Sequence, residues 1–230
     1  MKKMLTKRLL FCFVLYLAAT YLNAQEISLY NIKQESSEVS STLKLLEKKG
    51  YHINNFSGET YTEVRRAIEG KDILVLPFSE GEQPVFTQKS LAAVRDFVNE
   101  GKTLVVIGAQ QQLLNYTFDL SLNLQELGGI CSFKHPDFIR EGGSHLSYAP
   151  DAVIHNKGTY AIETLTLPAN STHVYGKYGN TTVAVIPYGK GKIIFMGWSF
   201  EGALPYGNIN KGWLDALDAS VKDCSEQLFK

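Results

Sequence analysis

The chain has 230 residues, of which 44% are hydrophobic, and its 23 basic side chains balance its 23 acidic ones. This composition is typical of a folded globular protein. The lack of excess positive charge leaves no electrostatic reason for it to bind nucleic acid, so we expect no nucleic-acid partner.

Residues 1–24 are predicted to be a secretory signal peptide. Lys2, Lys3, Lys7 and Arg8 precede the apolar run LLFCFVLYLAA, and Ala24 is a small residue at the predicted cut. The run is too short to cross a bilayer comfortably, although an uncleaved anchor is the alternative. Cleavage leaves 19 basic against 23 acidic side chains, a net charge of −4. We therefore expect a secreted or periplasmic protein without a membrane segment after cleavage.

The first half of the mature chain alternates strands and helices. Apolar runs predict strands near 26–32, 51–56, 71–78 and 102–109, and helical spacing with glycine stops predicts helices near 35–49, 60–70 and 87–101. Strands that are apolar throughout are buried on both faces, and helices between them imply parallel pairing. We predict an open, doubly wound α/β domain over residues 25–230, with 27–32, 73–78 and 104–107 as neighbouring parallel strands.

The second half has a different pattern. Residues 120–169 are richer in Gly, His and aromatics, with short strand candidates GGICSFK and AIETLTLP and no clear helix. The segment TTVAVIPYGKGKIIFMGW predicts a β-hairpin. Apolar residues at near-helical spacing predict a closing helix over 213–229.

Covalent modification is predicted at two kinds of residue. Cys12 leaves with the signal, so Cys131 and Cys224 remain. A disulfide between them would stabilise the fold by roughly 4 to 5 kcal/mol, and two free buried thiols are the alternative. Four Asn-x-Ser/Thr triplets are glycosylation sites if the source is a eukaryote. Their acceptors are Asn55, Asn115, Asn170 and Asn180.

The segments LVLPF, VNEGKTLVVIG and VAVIPYGKGKIIFMGW resemble the class I glutamine amidotransferase-like superfamily, in particular its extracellular and trehalose-utilisation-like branches. The resemblance spans roughly residues 27–213. It implies a flavodoxin-like fold, with helices on both faces of a mainly parallel sheet and a C-terminal β-hairpin. The functional cleft is then expected at the carboxyl ends of the parallel strands.

Glutamine-hydrolysing members of this superfamily have a cysteine on the tight turn after the strand that is here 102–108, and His and Glu after the late hairpin strand. This chain places Ala109 on the turn, followed by three glutamines where a strained turn needs small neighbours. Trp198-Ser199-Phe200-Glu201 follows the late strand, with no histidine. The resemblance thus implies that glutamine hydrolysis is lost, and we predict no catalytic residue and no cofactor.

Two other groups of residues give weaker evidence for a functional site. Cys131 lies near His135 and His145, but sequence proximity alone does not hold a base about 3 Å from a thiol. The segment HPDFIREGGSH also contains Asp137 and Glu141, without the tight spacing of zinc ligands. A buried or bridged thiol and a solvated loop are preferred, so we predict no metal site.

A ligand site is predicted at the cleft rim. The loop WSFEGALPYGNINKGW combines aromatic rings with amide and carboxylate groups, which suits a sugar or peptide. A core position for Trp198 and Trp213 is the preferred alternative, and solubility alone is an alternative reason for the acidic loop after LVLPF. The candidate rim residues are Ser79, Glu80, Gln110, Trp198, Glu201 and Tyr206.

These features predict a secreted, non-catalytic domain that binds a small molecule, a glycan or an extracellular protein. One alternative is a secreted hydrolase with a rearranged site, for instance Glu80 or Glu201 with a histidine of the middle segment. Another is a structural module of a surface assembly. A histidine within hydrogen-bonding distance of a Cys, Ser or carboxylate in the cleft would favour the hydrolase.

Overall fold

A computed structural model describes residues 26–31, 37–77, 86–127, 138–140, 146, 149–154, 158–200 and 211–226. The helices in this part are α1 (Ser37–Lys48), α2 (Tyr61–Ile68), α3 (Gln88–Asn99), α4 (Gln111–Phe118) and α5 (Lys211–Glu226). The strands are β1 (Glu26–Tyr30), β2 (His52–Phe56), β3 (Ile73–Leu76), β4 (Thr103–Ile107), β5 (Leu124–Glu126), β6 (Phe138–Arg140), β7 (Ala152–Val153), β8 (Tyr160–Glu163), β9 (Thr172–Lys177), β10 (Asn180–Tyr188) and β11 (Gly191–Met196).

All these strands belong to one mixed sheet. Its order is β2-β1-β3-β4-β11-β10-β9-β6-β7, while β8 pairs with β10 and β5 with β8. From β2 to β11 the neighbours are parallel, and the remaining pairs are antiparallel. The prediction that the first, third and fourth strands are parallel neighbours is therefore confirmed.

Helices cover the parallel strands on both faces. Leu74 and Val106 point into a core with α2, α3 and α4, whereas Val75 and Val105 point into a second core with α1 and α5. Successive side chains of a strand alternate between faces, so two cores require apolar residues at every position. This requirement explains why the strands are apolar throughout, as the doubly wound prediction expects.

Local signals fix the helix ends. Thr60 and Glu63 form a capping box at the start of α2, and the Thr87 hydroxyl accepts the Ser90 N–H at the start of α3. Gly70 and Gly101 adopt positive φ values of 67° and 105° just after these helices, as glycine stops do. The helices predicted from these signals are present. Helix α4 was not predicted, and no side chain caps its first turn at Gln110.

In the second half, the predicted hairpin is confirmed as β10 and β11, and the closing helix as α5. The segment AIETLTLP forms β8 and then a 3₁₀ turn, Thr164–Thr166. The strand predicted at GGICSFK and the signal peptide lie outside the described residues. Within the described residues, no helix has the length and apolar character needed to cross a membrane.

Helix α5 is linked to the segment that follows helix α1 through Asp218, which is 5% exposed. Its Oδ2 accepts hydrogen bonds from Lys49 Nζ at 2.9 Å and Lys222 Nζ at 2.8 Å, and its Oδ1 accepts one from Tyr51 Oη at 3.0 Å. Burial alone would raise the pKa of Asp218, but these hydrogen bonds outweigh it and lower that pKa below its ordinary value. The network therefore favours the ionised, folded form.

We expect Asp218→Asn to lower the free energy of unfolding by about 2 kcal/mol at pH 7, because two lysines lose their anionic acceptor. A folded-state pKa below the unfolded value of about 3.9 means that this stabilisation is present above that pH and is lost as pH falls through the folded pKa. Urea unfolding at pH 7 and at low pH measures both effects.

The matched control is Asp96→Asn, which alters an exposed carboxylate on α3 and should change stability by less than about 0.5 kcal/mol. An equal cost of Asp218→Asn at both pH values would contradict the role given to its charge.

Candidate functional site

The carboxyl ends of β1, β3, β4 and β11 form the edge of the sheet at which doubly wound proteins bind ligands. At this edge the elbow, residues Gly108 to Gln110, joins β4 to α4. The Gly108 N–H donates to Met196 O at 2.8 Å, which extends the β4–β11 ladder by one bond. The Gln110 N–H then donates back to Gly108 O at 3.0 Å, and this bond turns the chain into the helix.

The strained residue of the elbow is Gly108, whose φ is 75°. Ala109, which the family resemblance places on the turn, does not adopt a positive φ. A positive φ is easily adopted by glycine because it lacks Cβ, and alanine there would be strained. The residue with the strained backbone at this strand-to-helix turn is therefore a glycine, which has no side chain.

Gln110 lies over the ends of β3 and β4 and is only 1% exposed. Its Nε2 donates to Leu76 O at 2.8 Å and to Ile107 O at 3.3 Å. Its Oε1 is buried and has no hydrogen-bond partner in the described part of the chain. Of the predicted rim residues, Gln110 is thus at the cleft, but as a buried group that fills the space beside the elbow.

Asn31 is a second buried carboxamide at this edge, and it is not among the site residues predicted from the sequence. It follows β1 directly, its N–H donates to Phe56 O at 2.7 Å, and the residue is 9% exposed. Its Oδ1 also lacks a partner among the described residues. The available signal was its position, a polar residue immediately after a strand that is otherwise buried.

The end of β11 is closed by the start of β8, the strand that pairs with β10. Gly197 donates its N–H to Thr182 O and accepts the Tyr160 N–H at its carbonyl, both at 2.7 Å. A Cβ placed on Gly197 would lie 1.9 Å from Tyr160 O, which is far too short for two non-bonded atoms. The position directly after the late strand therefore accepts only glycine while β8 is paired there.

Of the two aromatic residues of the predicted rim, Trp198 lies in the described part of the chain and Tyr206 does not. Trp198 is 2% exposed, with ring centroids 5.0 Å from Phe200 and 6.0 Å from Trp213. Trp213 Nε1 donates to Ile154 O at 2.6 Å. Both tryptophans therefore occupy the core positions that sequence analysis preferred, and Trp198 presents no ring face to solvent. Four other rim candidates lie outside the described residues, and their role stays a prediction: Ser79, Glu80, Glu201 and Tyr206.

Two histidines lie in the described part of the chain with hydrogen-bonded side chains. His52 Nδ1 is 3.0 Å from Glu26 Oε2 at the amino edge of the sheet, where hydrogen bonds from Lys71 and His52 lower the pKa of Glu26. His173 Nδ1 is 3.0 Å from Thr181 Oγ1, and this threonine is fully buried. Neither histidine meets a Cys, Ser or carboxylate at the carboxyl edge within the described ranges.

The predicted metal and cysteine groups fall largely outside the described residues, which include none of Cys131, His135, Asp137, Glu141 or His145. Among the residues that are described, no group of three or more His, Cys, Asp or Glu side chains could hold a metal. The backbone of Cys224 lies in α5, and its pairing with Cys131 stays a prediction.

The four predicted glycosylation sites differ in exposure. Asn55 and Asn170 are exposed, whereas Asn115 and Asn180 are half-buried. Asn115 exchanges two hydrogen bonds of 2.9 Å with the Leu122 backbone, and Asn180 Oδ1 accepts one from Gln125 Nε2. An attached glycan is easier to accommodate at the two exposed residues, and modification of any of them stays a prediction.

The geometry above is that of a doubly wound α/β protein with a flavodoxin-like fold, the fold that the resemblance to class I glutamine amidotransferase-like proteins predicts. Comparison with solved structures agrees. The chain is similar to the cytoplasmic protein STM1381 from Salmonella typhimurium LT2, at 12% identity and a TM-score of 0.56, over 84% of this chain and 98% of that one. It is also similar to a protein from Thermoplasma acidophilum assigned as a subunit of GMP synthase, at 12% identity and a TM-score of 0.57, over 89% and 96%.

A third structure, the cytoplasmic protein STM3548 from Salmonella typhimurium, has 12% identity and a TM-score of 0.56, over 86% of this chain and 98% of that one. No protein-family model and no curated protein sequence matches the chain. At these identities the likeness shows the fold, and the chemistry of the site has to be argued from the residues present.

We expect Gly197→Ala to destabilise the protein by more than about 3 kcal/mol, because the new methyl group would force β8 away from the end of β11. The control is Gly179→Ala at a φ of 78°, where a Cβ meets nothing within 4 Å and only backbone strain of about 1 to 2 kcal/mol is expected. Thermal and urea unfolding measure both. Equal effects of the two substitutions would contradict the close approach at Gly197.

Proposed function

We propose that this chain is an exported, non-catalytic amidotransferase-like domain whose function is binding. The predicted signal peptide supports export, and the fold supplies the strand-end cleft. The observation that carries the proposal is the glycine at the strained elbow position, Gly108, since a nucleophilic route to glutamine hydrolysis requires a side chain there.

The neighbouring residues support the same conclusion. The Gln110 carboxamide occupies the space over β3 and β4 and uses its two N–H groups on backbone carbonyls of its own chain. At the end of β11, Gly197 cannot accept a side chain, and the buried ring of Trp198 follows it. The described residues at these two strand ends, Gly108 to Gln110 and Gly197 to Trp198, thus have no nucleophilic or acid–base side chain.

We expect the purified mature protein not to release ammonia from glutamine, and Gly108→Cys alone not to create this activity. The variant supplies a thiol, but the Gln110 side chain still fills the space beside it and no histidine of the described residues is placed to act as base. A general base contributes roughly 10² to 10⁴ in rate, and an oxyanion donor roughly 10² to 10³, so a lone thiol stays near background. Coupled ammonia detection measures the rate.

The paired variant Gly108→Cys with Gln110→Gly removes the obstruction and is expected to make the thiol react faster with iodoacetamide, still without steady glutamine turnover. Circular dichroism verifies that both variants are folded. Steady ammonia release by the unaltered protein would overturn the non-catalytic assignment.

The hydrolase alternative has one observation in its favour, the His173–Thr181 contact, in which Thr181 Oγ1 also lies 2.8 Å from Thr164 Oγ1. A fully buried secondary alcohol is a poor nucleophile because a substrate cannot approach it. Turnover of p-nitrophenyl acetate that disappears in His173→Ala would favour this alternative over a binding role.

A further inference from the structure

A groove runs along the outer surface of α3 and α4, beginning beside the elbow. A cavity of about 760 Å³ and a second of about 330 Å³ share four lining residues and so form one continuous depression, here called the α3–α4 groove. The shared residues are Gln88, Leu91, Asn115 and Tyr116. At the far end Arg95 and Asp119 form an ion pair of 3.8 Å.

The larger cavity is lined by carboxamides and contains no charged side chain among its described residues. Gln88 and Gln112 are exposed. Gln111 Oε1 accepts the Leu124 N–H at 3.1 Å, and Asn115 is held by Leu122, so these two amides are fixed in place by the protein. The exposed carboxamides of Gln88 and Gln112 each present a donor and an acceptor side by side, which matches adjacent hydroxyl groups.

Two polar features lie at the inner end of the groove. Gln110 lines the cavity, is 1% exposed, and has a buried Oε1 to which no described residue donates a hydrogen bond. Helix α4 begins there without a side-chain cap. An unpaired buried oxygen costs about 1 to 3 kcal/mol, and a ligand donor reaching it would recover that cost.

Aromatic and aliphatic groups complete the groove. Tyr116 is 61% exposed although it is a large ring, and Phe86, Leu91 and Leu113 are partly buried around it. An exposed ring beside neutral amides is the arrangement that packs against the apolar face of a sugar while its hydroxyls are hydrogen bonded.

We propose that the α3–α4 groove binds an uncharged oligosaccharide. An anion would be expected to have Lys or Arg partners, which the described lining of the larger cavity lacks, and Arg95 in the smaller cavity is already paired with Asp119. A peptide strand would need an open sheet edge, whereas the walls here are helices, and a peptide helix would need a continuous apolar floor. This inference rests on the proposed binding function and names its ligand class.

The test uses mature protein made in a bacterial host, so that Asn115 has no glycan of its own. Hexasaccharides of β-1,4-glucose, β-1,4-xylose, β-1,4-N-acetylglucosamine and α-1,4-glucose are titrated by calorimetry and by amide chemical shifts. At least one is expected to bind saturably and to shift amides of α3 and α4. Tyr116→Ala and Gln112→Ala should each weaken binding roughly 2- to 10-fold.

Tyr178→Ala is the matched control, because Tyr178 is a comparably exposed tyrosine, 89% exposed, on the β9–β10 turn outside the groove. Its affinity should equal that of the unaltered protein. Binding insensitive to Tyr116→Ala, preference for a sulfated hexasaccharide, or no binding across the panel would each overturn the inference.

These outcomes are separable from failure of the proposed function. If none of the hexasaccharides binds and no ammonia is released, the ligand class is refuted and the non-catalytic assignment stands. If a saccharide binds and glutamine is steadily hydrolysed, the ligand class stands and the non-catalytic assignment is refuted.

Discussion

The parallel pairing of β4 with β11 is the interaction on which the rest of the molecule depends. Residues 103–107 align with 192–196 in continuous register, and every residue of β4 is buried. This pairing joins the doubly wound first half to the antiparallel second half, because β11 is also hydrogen bonded to β10. It requires Gly191, where a Cβ would lie 2.2 Å from Lys102 O. This one pairing therefore determines how the two halves share a sheet and which strands end at its carboxyl edge.

The carboxyl edge of the sheet is filled by groups of the chain itself. Each strand end is occupied by a group that serves the fold: Asn31 after β1, Gln110 over β3 and β4, and Gly197 under β8. Helix α4 links this closed edge to the open groove, since Gln110 faces inward and Tyr116, further along the helix, is exposed. A short helix without a side-chain cap thus has both an interior structural role and the surface proposed for ligand binding.

Most of the first half could be predicted because its signals are local. Fully apolar strands, a capping box at Thr60 and glycine stops each act within a few residues. Helix α4 could not be found this way, because three successive glutamines give no capping or amphipathic signal and its burial depends on a distant strand. The short strands β6 and β7 likewise exist only through long-range pairing.

The location of the site could be predicted from the sequence, but the orientation of its side chains could not. The rule that parallel strand ends form the cleft placed Gln110 correctly, but its inward direction follows from a carbonyl at the end of β3 that is 34 residues away. Sequence alone does not show which residue of the elbow adopts the positive φ, and in the structure this residue is Gly108. Trp198 could be a rim or a core residue until its ring contacts were known.

The closure at Gly197 has an evolutionary consequence. A single substitution cannot place a side chain at this position, since any Cβ meets the Tyr160 carbonyl. The strand β8 would first have to unpair from that point, at a cost in stability. Two changes are therefore needed before position 197 can vary, one that releases β8 and one that adds the side chain. Glycine is expected to persist here in every related sequence that keeps the β8 pairing.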